Sequence, residues 1–244
     1  MLALPAEIRG FLFDLDGVVT DTAAVHAAAW KHMFDGFLAA RALPPFDLPE
    51  DYTRYVDGKK REDGTRSFLA SRGITLEEGD PDDPPEAETV YGLGARKNAL
   101  VLQLIASGGV RVFPDAVELL RQVRATGART ALVSSSANAE AVLAAAGLED
   151  MFDVRIDGVV ARERHLPGKP APDMFLAGAA ALGLPARDCA AFEDALAGVA
   201  AGRAGDFALV VGVDRIRDGA HGPALLGNGA DVVVEDLTEL LERR

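Results

Sequence analysis

The stretch Ile8-Arg9-Gly10-Phe11-Leu12-Phe13-Asp14-Leu15-Asp16-Gly17-Val18-Val19-Thr20-Asp21-Thr22 runs a short apolar segment straight into two aspartates one residue apart. Residues i and i+2 of an extended backbone project to the same side, which predicts two carboxylates together at a strand end. Like charges that close resist joint ionisation and require a divalent cation, a shared proton, or both. Gly17 then permits a sharp turn that brings backbone close to a ligand.

Outward from this stretch, apolar runs bounded by turn residues recur at 129–133, 154–156, 189–192, 207–213 and 231–234. They are too continuous for half-exposed strands and predict a parallel sheet covered on both faces. Ala116, Leu119, Leu120 and Val123 repeat at helical spacing before Gly127, and 137–146 forms a second helical run stopped by Gly147. From about Pro114 helix and strand alternate, as in an open α/β fold with right-handed crossovers. Residues 22–105 differ. They offer helical patterns at 23–40, 61–72 and 87–105 and no convincing strand, so a helical insertion is expected between the first strand and the rest. The acidic, proline-rich segment 77–86 reads as a solvated loop.

Composition narrows the function classes. The chain has 244 residues, 49% of them hydrophobic, and a net charge of −13. An acidic excess without a basic stripe argues against sequence-independent nucleic-acid binding. The single cysteine, Cys189, suits a reducing compartment and reads as a small apolar filler of a strand. No signal-peptide pattern and no window of about 18 apolar residues occurs, so no membrane association and a cytoplasmic location are expected.

Three further clusters follow predicted strands, and open parallel sheets bind ligands beyond the carboxyl ends of their strands. Ser134-Ser135-Ser136, with Asn138 at a helix mouth, offers hydroxyls and backbone N–H groups for an oxyanion or phosphate; alone, it reads more readily as a serine cap. In Gly168-Lys169-Pro170-Ala171-Pro172-Asp173, prolines fix one lysine as a point charge for a phosphate oxygen. Glu193-Asp194 adds two carboxylates at the same edge. Asp14, Asp16, Glu193 and Asp194 form an all-oxygen environment without Cys or His, which favours magnesium.

With these four motifs in order, the chain resembles the haloacid dehalogenase superfamily of phosphoryl-transfer enzymes over nearly its whole length. Its longer similarity is to the β-phosphoglucomutase-like branch, through Asp14 to Thr22 with His26 and Trp30, Gly58 with Arg61-Glu62-Asp63, Lys169 to Asp173, and Phe192-Glu193-Asp194. The resemblance implies a Rossmann-like core over residues 1–21 and 106–244, and a helical cap over 22–105. It implies Asp14 as nucleophile and Asp16 as general acid and base. Mg²⁺ would be held by Asp14, the Asp16 carbonyl and Asp194, with Glu193 as ligand or support. Ser134 and Lys169 would hold the transferring phosphoryl oxygens. His26 and Trp30, four residues apart, share a helix face and serve either hinge packing or the cleft. Arg61 would bind a distal phosphate bidentately, with Ser135, Ser136 and Asn138 nearby.

The activity expected from the resemblance is Mg²⁺-dependent conversion of β-glucose 1-phosphate to glucose 6-phosphate by a monomer acting on a small sugar phosphate. Departures from the branch pattern are Ala137 and Asp57 where lysines stand in well-known mutases, and Gly64 in place of a serine. A sugar-phosphate phosphatase is therefore the alternative, and a non-catalytic binding protein on the same scaffold a remote one. The absence of a glycine five residues before Gly168 excludes a Walker-type loop.

Overall fold

In the computed structural model, which describes residue 5 and residues 7–241, the sheet comprises β1 (Gly10–Phe13), β2 (Arg129–Val133), β3 (Val154–Ile156), β4 (Cys189–Glu193), β5 (Leu209–Val213) and β6 (Val232–Val234). All pairings are parallel, in the order β3-β2-β1-β4-β5-β6. The first strand therefore lies centrally: Gly10 faces Arg129 on one side and Cys189 on the other. Alternation along β1 divides its side chains between two cores. Phe11 and Phe13 enter one apolar cluster and Leu12 the other. On the first face Phe13 stacks on Phe192 with ring centroids 4.4 Å apart, above α4 (Pro114–Ala125) and α5 (Ala139–Ala146). The other face is covered by α7 (Asp173–Ala181), α8 (Leu196–Ala204) and α9 (His221–Gly227), while the short α6 (Gly158–Glu163) follows β3.

Between β1 and β2 run α1 (Ala23–Ala39), α2 (Arg61–Ser71) and α3 (Val90–Gly108), with a π-helical turn at Tyr52–Val56. No strand occurs among residues 22–105. These helices close on a third apolar cluster of their own, in which Trp30 stacks on Phe34 and Phe34 meets Phe68 at 4.1 Å. Thr89 caps α3 by accepting from Gly92 N.

Several boundaries differ from the sequence expectation. β1 ends at Phe13, immediately before the first aspartate, so Asp14 and Asp16 lie in the turn beyond the strand rather than on its pleat. β5 and β6 begin later than their apolar runs: Phe207 bonds back to the Gly202 carbonyl, and Ala208 and Asp231 donate to Cys189 and Val210 of the adjacent strands just before the regular ladders begin. The third insertion helix starts at Val90 rather than 87, where the Thr89 cap sets it.

Candidate active site

The floor of the site is an ion cluster at the ends of β1 and β4. Lys169, fully buried, donates from Nζ to Asp14 Oδ1 at 2.5 Å, to Glu193 Oε1 at 2.5 Å and to the Val133 carbonyl at 3.1 Å. Asp194 completes the cluster: ligand oxygens of Asp14, Glu193 and Asp194 lie within 4.8 Å of one another. One ammonium thus faces three carboxylates. Burial pushes the Asp14 carboxyl up to about 6 and Glu193 up to about 7, with Lys169 opposing both shifts. Asp194 is driven well above the carboxylate range by burial and by Asp57 and Glu193. Burial alone would discharge Lys169, but Asp14 and Glu193 outweigh it and raise its proton affinity. Three crowded carboxylates with a deficit of positive charge and only oxygen donors fit a hard divalent cation.

Two glycines make the cluster possible. Gly17 sits at φ +93°, and a β-carbon there would lie 1.8 Å from Asp194 Oδ2; one on Gly198 would lie 1.8 Å from Glu193 Oε1. Asp194 is also tethered from behind, its carbonyl 2.8 Å from His221 Nε2.

The Asp16 carboxylate turns away from this cluster and stands outside its set of oxygens, a correction to the expectation of four converging acids. It accepts from the Thr22 hydroxyl and, at 3.5 Å, from Ser134 Oγ, and its Oδ1 lies 3.5 Å from His26 Nε2. Burial raises its proton affinity, with the Thr22 bond opposing. Behind His26 stands Lys97, whose Nζ is 2.9 Å from Nδ1. Burial lowers the Lys97 pKa to about 7, helped by Arg61, and burial together with Lys97 and Arg61 holds His26 well below its usual range. Among the described residues, His26 Nε2 is buried without a well-formed hydrogen bond.

A single cavity of about 490 Å³ opens above these groups. Its walls include Asp14, Asp16 and Asp194 from the floor; His26, Trp30, Gly58 and Arg61 from the insertion; and Ser135, Ser136 and Asn138 from the loop after β2. Ser134, Lys169 and Glu193 lie beneath it, buried. The helical insertion touches the sheet side directly. Ser135 Oγ donates to the Gly58 carbonyl at 2.8 Å, Asn138 Nδ2 to Asn98 Oδ1 at 2.9 Å, and Lys60 to the Leu166 carbonyl. Asn138 occupies the cap position of α5 without a side-chain cap bond, whereas the serines do accept local backbone bonds, Ser134 Oγ from Ser136 N at 3.1 Å and Ser136 Oγ from Asn138 N at 3.2 Å. Trp30 belongs to the insertion's apolar cluster and also borders the cavity, which satisfies both readings of that residue.

Sequence reading missed four contributors. Lys97 was hidden inside a helical run, and Asn98 beside it likewise. Asp57, which the sequence marks only as a missing lysine, is a cavity-lining acid whose carboxyl burial raises to about 6. Arg215, from beyond β5, donates to the Gly17 carbonyl at 3.3 Å, to Val18 at 3.2 Å and to Asp115 at 2.7 Å. It thereby braces the turn after the first strand.

The family model for haloacid dehalogenase-like hydrolases matches residues 8–206. The chain belongs to that family. It is accordingly one of its enzymes. A curated relative, "Beta-phosphoglucomutase" of Mycobacterium tuberculosis, is 55% identical over 99% of this chain and 94% of its own length. The Bacillus subtilis protein of that name is 35% identical over 96% of this chain and 92% of its own. The crystal structure of β-phosphoglucomutase from Clostridium difficile superposes with a TM-score of 0.73 at 27% identity, covering 96% of this chain and 93% of that one. Among the described residues, no helix is long and apolar enough to cross a membrane.

Proposed function

We propose that this chain is a β-phosphoglucomutase, converting β-glucose 1-phosphate to glucose 6-phosphate. The near full-length 55% identity to the mycobacterial protein of that name carries the reading, and the arrangement of the cavity supports it. In this reading residues 1–21 and 106–244 are the catalytic core and 22–105 a cap, the protein acting as a cytoplasmic monomer. The separate apolar cluster of the insertion favours that division.

Asp14 is the nucleophile. One of its oxygens bonds to the phosphorus of β-glucose 1,6-bisphosphate as the bond from phosphorus to the C1 oxygen breaks, and Asp16 gives its proton to that departing oxygen. Glucose 6-phosphate leaves. The C6 hydroxyl of β-glucose 1-phosphate then attacks the aspartyl phosphate while Asp16 takes back the proton, which regenerates the bisphosphate and free Asp14. The bisphosphate must turn around before the next cycle. Asp16 suits the proton role because its burial favours the protonated form and because it is held apart from the metal-type cluster by Thr22 and Ser134. Ser134 and Lys169 steady the transferring oxygens. Mg²⁺, held by Asp14, Asp194, the Asp16 carbonyl and Glu193, would supply the positive charge that three carboxylates and one lysine lack, and polarise the phosphoryl group. His26 orients the leaving oxygen, and Arg61 with Ser136 and Asn138 receives the distal end of the sugar.

The test is to incubate the protein with Mg²⁺, β-glucose 1-phosphate and a trace of glucose 1,6-bisphosphate, measuring glucose 6-phosphate against free phosphate. Glucose 6-phosphate dominates if the reading holds, and Asp14→Ala abolishes it. Release of mostly inorganic phosphate would make the protein a phosphatase instead.

A further inference from the structure

The turn between the π-helical segment and α2 carries an acid of the insertion to the floor of the cavity. Gly58, at φ +69°, comes so close to the start of α8 that a β-carbon on it would lie 2.7 Å from the Ala195 Cβ. Its carbonyl also accepts from Ser135 Oγ at 2.8 Å, so the turn is seated on the sheet side at two points. Asp57 and Asp194 immediately precede the two residues in contact, and both line the cavity. The insertion thus adds a fourth carboxylate to a cluster of three. Burial first and Asp57 next drive the Asp194 carboxyl up, and burial with Glu193 raises Asp57 in return.

The bases that follow in the chain are engaged elsewhere. Lys59 Nζ lies 3.0 Å from Ser67 Oγ, and Lys60 donates to the Leu166 carbonyl. Lys169 is already shared between Asp14 and Glu193. Among the described residues, no lysine or arginine forms an ion pair with Asp57, whose charged neighbours are Glu193 and His221. Seating the insertion therefore sets like charges against one another at the edge of a site suited to a hard divalent cation.

We propose that Asp57 couples the seating of the insertion to the cation at the acid cluster, each favouring the other. The cation compensates the carboxylate that the insertion brings, and the seated carboxylate tightens the cation by the same factor. Asp57 stands outside the set of oxygens lying within 4.8 Å of one another, so it meets the ion through water rather than as a direct ligand. The inference rests on Mg²⁺ occupying the cluster and is independent of which sugar phosphate the protein takes.

The test titrates Mg²⁺ by calorimetry into the parent, Asp57→Asn and Asp57→Lys, without sugar phosphate, and follows hydrogen exchange over residues 56–61 and 135–138, which meet at the seat. In the parent, Mg²⁺ should slow exchange in both segments. Asp57→Asn is expected to weaken Mg²⁺ binding about ten-fold, the loss typical of a group beyond the direct ligands, and to leave exchange the same with Mg²⁺ as with chelator. Asp57→Lys separates charge from packing. Its own ammonium should slow exchange in chelator relative to the parent, while Mg²⁺ binds more weakly than to Asp57→Asn. Unchanged Mg²⁺ affinity in Asp57→Asn would overturn the proposal, as would faster exchange in chelator for both variants, the result expected of a side chain that only packs. A parent that binds no Mg²⁺ would sink the metal assignment itself, and the coupling with it.

Discussion

Gly17 and Asp194 share one volume: the space a side chain on Gly17 would need is already filled by the Asp194 carboxylate, 1.8 Å from the position of that β-carbon. The positive φ of +93° at Gly17 adds a second barrier to any other residue. Gly17→Ala is therefore expected to displace Asp194 and weaken Mg²⁺ binding at least about ten-fold, the range seen when groups supporting a metal ligand are removed. Calorimetric titration of Mg²⁺ checks this, and unchanged affinity would show that Asp194 is not part of the ion site.

Among the described residues, Lys169 is the only cation within bonding distance of Asp14 and Glu193, and all three are buried. Lys169→Met leaves two carboxylates uncompensated and is expected to cost about 3–5 kcal/mol of stability, the usual penalty for breaking a buried pair from one side. Thermal melts should show a smaller loss of Tm with saturating Mg²⁺ than with chelator. A loss independent of Mg²⁺ would contradict the placement of the cation site.

The proton affinity of Lys97 gives a stability signature with a definite sign. Burial lowers its pKa from 10.5 to about 7, so between these values the unfolded chain binds more protons than the folded one and stability rises with pH. The penalty for burying the charged amine is fully present below about pH 7 and gone above 10.5. Lys97→Met should thus raise Tm more at pH 6 than at pH 9, while turnover falls because His26 loses the group behind it. Equal gains at both pH values would refute the shift.

Arg215 acts on the site from a distance through the turn at Gly17 and Val18, with its guanidinium also 4.0 Å from the centre of the Phe113 ring. Arg215→Ala is expected to destabilise the protein by roughly 2 kcal/mol through the loss of bonds made by a charged donor. Urea unfolding gives the figure. Arg215→Lys should recover less than half of it, since an ammonium cannot span the Asp115 carboxylate and two carbonyls together; full recovery would reduce the contact to simple charge pairing.

Much of the molecule was legible in the sequence because its strong signals are local. The continuous apolar runs at 129–133 and 189–192 mark central strands, and the glycines after 146 and 126 mark helix ends, since both follow from near-neighbour backbone physics. Asp14, Lys169 and Glu193-Asp194 could be placed at one edge because open parallel sheets gather ligands there. What escaped reading is set by long-range packing. Nothing near Lys97 announces that His26 will lie 2.9 Å away across 71 residues, nor does anything near Arg215 reveal that it will hold a turn nearly two hundred residues earlier. The divergence of Asp16 from the carboxylate cluster was likewise invisible, because β1 stops at Phe13 and the turn that follows obeys Thr22 and Ser134 rather than strand pleating.

The central position of β1 has a consequence for synthesis. Its pairing with β2 must wait until residue 129 has emerged, and its pairing with β4 until residue 189 has done so. Contacts that distant in sequence close slowly. A growing chain on the ribosome therefore carries Asp14 long before the rest of the pocket exists, and the pocket is complete only when the last third of the polypeptide arrives.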